Sequence, residues 1–500
     1  MEFLDPKKQR AHLTRLFIGY FLIGTAIVLT AIILLYQAYG FGIKNGEVIQ
    51  NGLIFVSSQP DGAEIYVNGQ KRDETTNVRL LMPAGQYAFE LKRDGYRSWK
   101  RAINIEGGTV ARFDYPFLFP AKLTSTVTKH YDTKPALATE SPDRRWLLVQ
   151  NGANYATFDL FDLNAPDKAP VAVTLPQSIS DLGGNHAWKL AEWSNDNRHV
   201  LLEHTGEKSG QSMTEYILLD REAPENSVNL NAKLGQSPAK LALRDKKYDK
   251  YFVYTADQKL QTATLTEPAL QPLVDHVLDF KTYGDNIVLY ATNQDAPEGK
   301  TTVKLFDDDE TYTIRQVAAT TPYMLELTKY SGDWYVVAGA ASENRTYIYK
   351  NPQASLNREP NKALAPVQVL KTVNPLHVAF SDNARFVVAQ GGQQFSVYDA
   401  ENDKGYSYIM KQPMDTPQQY AQWMDGHRLM YVSGGKAFVF DFDDANREVL
   451  SAGDAGYLPF FDRNYEVLYT LAPSVTTAED GKQTAQFVLN GTPLRTPADQ

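Results

Sequence analysis

One stretch constrains this chain more than any other. Residues Leu16 to Tyr36, LFIGYFLIGTAIVLTAIILLY, carry no charged side chain, and the uncharged run extends from Arg15 to Lys44. A hydrocarbon core of roughly 30 Å needs about 20 apolar residues in helical form, so this run is long enough to span a bilayer. It has no polar stripe at helical period, which argues against a core helix of a soluble protein. A cleaved signal is the competing reading, with small residues at Ala38-Tyr39-Gly40. Signal-peptide apolar regions run only about 7–15 residues, and the length therefore favours a retained anchor.

Orientation follows from the flanks. Lys7, Lys8, Arg10 and Arg15 precede the run and only Lys44 follows closely. The positive-inside rule then places residues 1–15 in the cytoplasm, 16–36 across the membrane and the remainder outside. The expected localisation is the cell membrane, single-pass, with an extracytoplasmic C-terminal region. Tyr36, Tyr39 and Phe41 suit an outer aromatic belt.

Composition narrows the chemistry. The formal charge is −9; the short tail is basic, so the exported part carries about −11, which argues against nucleic acid as a partner. The chain has no cysteine, which excludes disulfides, thiolate metal sites and thiol catalysis. Stability has to come from burial, and abundant Tyr and Phe suit a β-rich core.

Gly40 to Gly52 reads as a Gly- and Asn-rich connector, and residues 37–51 are assigned as a linker. Short strands follow from Leu53. Ala63, Ile65 and Val67 alternate with Glu64, Tyr66 and Asn68, the period of a half-buried strand. Asn68-Gly69 is a hairpin signal. Val78 to Met82, Tyr87-x-Phe89-x-Leu91, Trp99 to Ile105 and Val110 to Tyr115 supply further strands, divided by Pro83-Ala84-Gly85, Asp94-Gly95 and Gly107-Gly108. About six strands in so short a stretch close most naturally as a small β-sandwich over 52–119.

The run Ser57-Ser58-Gln59-Pro60-Asp61-Gly62-Ala63-Glu64-Ile65-Tyr66-Val67-Asn68-Gly69 resembles the PEGA module, with Pro60-Asp61-Gly62-Ala63 in place of its Pro-Glu-Gly-Ala signature. Gly85-x-Tyr87-x-Phe89-x-Leu91, Gly95-Tyr96-x-x-Trp99 and Ile103-x-Ile105 also fit that family's pattern. The resemblance implies an extracytoplasmic bacterial module that binds envelope carbohydrate or protein, and no catalytic residue.

Beyond Pro116-Phe117-Leu118-Phe119-Pro120 the chain repeats over 120–500. Each unit is a polar turn, a β-branched run, a Gly/Asn-rich turn and a second strand ending in Asp. Clear copies begin at Ser141-Pro142-Asp143, Trp193-Ser194-Asn195-Asp196, Phe380-Ser381-Asp382-Asn383 and Trp423-Met424-Asp425-Gly426. Weaker ones begin near Leu243, Phe280, Leu327 and Phe460. A spacing of about 45 residues is that of a four-stranded propeller blade. Eight copies leave seven or eight blades open. The units resemble degenerate Ser-Pro-Asp-Gly blades of TolB-like and WD-repeat-like propellers, and Leu123 to Tyr131 is placed to complete the last blade. The expected fold is thus an all-β exported region, a PEGA-like β-sandwich plus a seven- or eight-bladed β-propeller, behind one transmembrane helix.

The sequence carries near-matches to catalytic motifs but no complete one. Gly210-Gln211-Ser212-Met213-Thr214 and Gly235-Gln236-Ser237-Pro238-Ala239 each lack the last glycine of a nucleophile elbow. There is no H-E-x-x-H and no phosphate loop. In a strand, His199 and Glu203 face one side and His204 the other, so they do not converge on a metal. Asp441, Asp443, Asp444 and Glu448 lack EF-hand spacing, and Asp307-Asp308-Asp309-Glu310 reads as a solvated turn.

Tyr66, Tyr96 and Trp99 are the candidate ligand-binding residues, as rings that suit a pyranose face; the same rings also serve as core in a small sandwich. No catalytic residue, metal site or cofactor is expected. The partners expected are the cytoplasmic membrane and an envelope polysaccharide or surface protein. The function expected is non-catalytic binding or scaffolding in the envelope; the alternatives are an extracytoplasmic sensor and a hydrolase in the propeller channel.

Overall fold

The computed structural model describes residues 6–38, 41–44, 47–360, 362–416, 419–477, 483–497 and 499. The chain divides into two compact units, 1–122 and 123–500.

The first unit opens on a 33-residue helix, Pro6–Ala38, about 50 Å long at 1.5 Å per residue. Within it, Arg10–Tyr36 is long and apolar enough to cross a membrane, and none of that apolar surface is buried by the protein. Phe17, Tyr20, Leu22 and Ile27 are all more than half exposed. A helix that is apolar on every face, with its apolar span left unburied, matches hydrocarbon as its solvent.

Two four-stranded sheets then face each other. One runs Phe41–Lys44, Glu47–Val56 and Val78–Pro83, with Val110–Phe113 pairing in parallel on Glu47–Val56. The other has the order Gln70–Thr75, Glu64–Val67, Gly85–Lys92, Trp99–Ile105. Ile54, Val56, Leu80 and Met82 from the first sheet and Ile65, Phe89, Leu91, Trp99 and Ile103 from the second are buried. The Asn68-Gly69 hairpin forms with φ of 50° and 80°, the paired positive values of a type I′ turn.

The connector read over 37–51 is different in the structure. Phe41–Lys44 and Glu47–Val56 pair antiparallel, with Phe41 opposite Gln50, so strand rather than stalk occupies most of it. The physical reason lies in Gly52. An added Cβ there would stand 2.6 Å from Ile105 Cγ2 and 2.7 Å from the Glu106 carbonyl. That glycine serves close approach of two sheets and not flexibility.

Among the described residues the second unit contains eight four-stranded sheets, which gives eight blades. Their first strands are Ala138–Glu140, Gly183–Trp193, Lys240–Leu243, Val277–Tyr283, Glu326–Tyr330, His377–Phe380, Gln422–Trp423 and Phe460–Phe461, taken here as blades 1 to 8. These are the eight repeats read from the sequence. Thr126–Tyr131 pairs with Gln483–Pro493 and supplies the outer strand of blade 8, so the ring is closed by a strand that precedes blade 1. Apolar clusters fill the joints between blades, as with Leu148, Phe158, Trp188 and Val200 between blades 1 and 2. Tyr131, Leu147, Phe161 and Leu471 fill the joint between blades 8 and 1.

The repeated polar turn has a structural cause. Ser141 Oγ donates to Asp143 and accepts from the Trp146 amide at 3.0 Å, and Ser381 accepts from the Phe386 amide at 3.1 Å. In three blades the arginine after the turn forks onto the Asp that ends the third strand. These pairs are Arg145 on Asp162, Arg198 on Asp220 and Arg385 on Asp399. The fourth turn residue is left-handed in four copies: Arg144 (φ 56°), Asn197 (56°), Ala384 (60°) and Tyr465 (57°). This is the position at which a Ser-Pro-Asp-Gly turn has glycine, and an L-residue there costs roughly 1–2 kcal/mol. Ala384→Gly is therefore expected to stabilise the chain by about 0.5–1 kcal/mol in urea titration, since it relieves that strain at an exposed turn.

Candidate functional site: the propeller channel and the sandwich aromatics

The innermost strands place one set of titratable side chains around the channel. Their connections run from blade to blade. Glu140 of blade 1 accepts from the Phe461 amide of blade 8 at 3.4 Å, and Glu192 of blade 2 accepts from the Leu243 amide of blade 3 at 3.0 Å. Lys240 of blade 3 lies 3.6 Å from Asp279 of blade 4. Lys281 of blade 4 pairs with Glu326 of blade 5 at 3.1 Å. Tyr420, just before blade 7, stacks on His377 of blade 6 at 3.9 Å between centroids.

The electrostatics of these groups differ. Burial pushes the His377 imidazole down to about 4, and the nearby Lys281 charge acts in the same direction, so the ring is neutral at physiological pH. Its Nε2 is buried with no hydrogen-bond partner. Burial alone would lower the Lys281 ammonium; the Glu326 carboxylate outweighs it and holds the amine above the ordinary lysine value.

At the mouth formed by the repeated turns, one arginine reaches across the ring. Arg144 of blade 1 donates from Nη2 to Asp382 Oδ2 of blade 6 at 2.6 Å and to the Met424 carbonyl of blade 7 at 2.8 Å. Its guanidinium lies 4.5 Å from the Tyr465 ring of blade 8, whose hydroxyl donates to the same carbonyl at 3.1 Å. The strained left-handed backbone of Arg144 thus launches a side chain that ties four blades together at this mouth, a use of strain that glycine could not supply. Glu140 lies close enough to feel this pair, and burial raises its carboxyl to about 7 against the attraction of Arg144.

That shift has a pH signature. In the unfolded chain Glu140 ionises near its ordinary value, while the native group keeps its proton until about 7. Between those values the native state binds the extra proton, so its contribution to stability is full in acid and is lost as pH rises through about 7. Glu140→Gln, which keeps the acceptor for the Phe461 amide, is expected to remove about 2–3 kcal/mol of stability loss between pH 5 and 8. Urea midpoints of the two proteins should converge in acid and separate in base, with the variant the more stable.

A second aromatic group sits between blades 1 and 2. His186 Nδ1 and His204 Nε2 are 3.0 Å apart, and Tyr155 stacks on His186 at 3.7 Å. His204 is fully buried, and burial holds it down to about 4. His199 turns to Asp196 at 2.6 Å while His204 turns to His186, so the two histidines face opposite sides of their strand. Among the described residues no three metal-ligating side chains cluster.

The three sandwich rings do not share a surface. Trp99 is 2% exposed and packs edge-on to Tyr115 at 5.9 Å, and Tyr96 is 8% exposed. Tyr66 stands on the opposite face of its sheet, half-buried, with the Lys92 ammonium 4.3 Å from its ring centre and its hydroxyl donating to Glu64 at 3.0 Å. Of the three, Tyr66 alone presents a ring beside open solvent. The sequence reading grouped the three rings and did not distinguish a core tryptophan from a ligand platform. The channel groups Glu140, Lys281, Glu326 and His377 were missed. Their only signal was a charged or imidazole side chain within or at the end of the first strand of a repeat, visible only once the repeats are aligned.

Fold and site together define an all-β protein in which a small sandwich precedes an eight-bladed propeller, behind an apolar helix. Residues 51–118 match the PEGA domain family, so the sandwich is a PEGA domain. No curated protein matches the chain. Among solved structures, an oligogalacturonate lyase in complex with manganese is similar with a TM-score of 0.38 and 11% identity, over 75% of this chain and 98% of that one. Hsv2p of Kluyveromyces lactis is similar with a TM-score of 0.36 and 11% identity, over 72% and 98%. The dihydro-heme d1 dehydrogenase NirN has a TM-score of 0.42 and 14% identity, over 74% and 78%. The likeness to each is one of fold alone. A PEGA domain and a propeller behind an apolar helix suggest a protein of the cell envelope.

Proposed function

We propose that this chain is a single-pass membrane protein of the cell envelope, with its β modules outside the cytoplasmic membrane. There it binds or scaffolds envelope glycans or surface proteins without catalysing a reaction. One observation carries the reading. Most of the charged groups that converge on the channel are paired, Lys281 with Glu326, Lys240 with Asp279 and Arg144 with Asp382, while Glu140 and Glu192 accept from backbone amides and His377 stacks on Tyr420. Paired ions of this kind fix geometry and offer hydrogen bonds, whereas a nucleophile or general base needs an uncommitted partner within reach. Tyr66 supplies a half-buried ring with the Lys92 ammonium over one face and Glu64 at its hydroxyl, so that its other face and these polar groups are what a sugar would meet.

The test is retention. The full chain in detergent micelles, immobilised through its C-terminus, is challenged with purified envelope glycan fragments and with solubilised surface proteins. Saturable binding of one class is expected, weakened by Tyr66→Ala for a glycan. Binding of neither class, or turnover of a glycan during the assay, would overturn the reading.

A further inference from the structure

The outer face of the first PEGA sheet carries a pattern that the binding role does not use. Side chains at Leu53, Leu81 and Val110 stand in register across three strands, and the next rung outward is Arg79, Phe55 and Arg112. Leu81 and Val110 are each 58% exposed. The Arg112 guanidinium lies 4.7 Å from the Phe55 ring centre. An apolar rung beside a cation–aromatic–cation rung is unusual on an open sheet face, because exposed aliphatics gain nothing from water.

The connection to the helix decides what covers it. The helix ends at Ala38 and the first strand begins at Phe41, whose ring packs on Tyr36 of the helix at 5.0 Å. Phe41 pairs with Gln50, so Leu53 and Phe55 run on past the start of that strand. Phe55 lies about 17 Å beyond Gln50 along its strand at about 3.4 Å per residue. The two rungs are therefore tethered within about 30 Å of the last helical residue, whatever the angle between helix and sheet.

We infer that this face docks on the anionic phosphate headgroups of the bilayer that holds the helix. The guanidiniums of Arg79 and Arg112 would pair with lipid phosphates, and Leu53, Phe55, Leu81 and Val110 would enter the interfacial layer. Asp114, exposed two residues after Arg112, sets the edge of the docked surface. The inference rests on the membrane-anchor reading above. Tethering makes the docking intramolecular, so two arginines and a few apolar side chains suffice where a free domain would need more.

The chain has no cysteine, so one introduced thiol takes one probe. Leu81→Cys, and as control Ala102→Cys on the exposed side of the other sheet, are labelled with an environment-sensitive dye. Each full chain is reconstituted into phosphatidylcholine vesicles with or without about 30 mol% phosphatidylglycerol. Quenching by brominated lipid is expected at position 81 and not at 102, in the anionic vesicles. It should fall as salt rises from about 50 to about 500 mM. Each of Arg79→Gln and Arg112→Gln should lower the docked-to-free ratio by about fivefold. Equal quenching at both positions, or no response to anionic lipid, would overturn the docking. Carbonate-resistant flotation separates the two readings: a chain that floats with position 81 unquenched refutes docking alone, and one that fails to float refutes the anchor with it.

Discussion

Asp399→Ala is expected to destabilise the propeller by about 3–5 kcal/mol, whereas the equivalent change in blade 1, Asp162→Ala, should cost about 1 kcal/mol. The two sites share one motif and differ in burial. Asp399 is fully buried and accepts from Arg385 Nε and Nη2 at 2.9 and 2.7 Å, from the amides of Glu401 and Asn402 at 3.0 and 3.3 Å, and from Asn402 Nδ2 at 2.8 Å. Removing that carboxylate takes away the bidentate partner of a guanidinium whose side chain is only 12% exposed, leaves it with Glu401 alone, and unties the amides of the turn that follows. At blade 1 the Arg145 side chain is 44% exposed, and water replaces what Asp162 gave it. Urea titration followed by tryptophan fluorescence would measure both. Equal costs at the two sites would show that the fork is held by the turn rather than by desolvation.

The same comparison explains why much of the propeller was legible. In blades 1, 2 and 6 a turn serine, an arginine four residues on and a distal Asp lie near one another along the chain and repeat the arrangement; the other copies keep an apolar run at the same spacing of about 45 residues. Eight strand starts could therefore be read even where the signature had decayed, as at Leu243 and Leu327. The helix was legible for a similar reason, since apolar length is a local property. Contacts between distant blades left no such trace. Arg144 and Asp382 meet across 238 residues, and no spacing rule connects them. The strand from Glu47 to Val56 was half missed because its glycine and asparagines carry turn signals, while its pairing with Val78–Pro83 and Val110–Phe113 is decided in three dimensions. In the sandwich, alternation set Tyr66 apart from Ala63, Ile65 and Val67, but which face meets solvent, and that Trp99 is core, depends on the second sheet.

Ring closure supplies the other large effect. Tyr131→Ala is expected to cost about 3–5 kcal/mol, the range for deleting a large buried ring, and to do so in a way that no equal deletion within a blade reproduces. Tyr131 is 4% exposed on the closing strand, opposite Phe487, inside the cluster that joins blades 8 and 1. Its strand precedes blade 1 and meets its partner from the far end of the ring, so the contact is formed at the entropic cost of a very long loop. A void there weakens both the joint and the only strand that covers the outer edge of Gln483–Pro493 among the described residues. Tyr251→Ala, at a fully buried ring in blade 3, provides the control: its global cost should be similar, but blade 3 is held covalently on both sides. Hydrogen exchange should then show blades 8 and 1 losing protection ahead of the rest in Tyr131→Ala, and a uniform loss in Tyr251→Ala. Uniform loss in both would mean that the ring opens only by global unfolding, with the closing strand no weaker than any other.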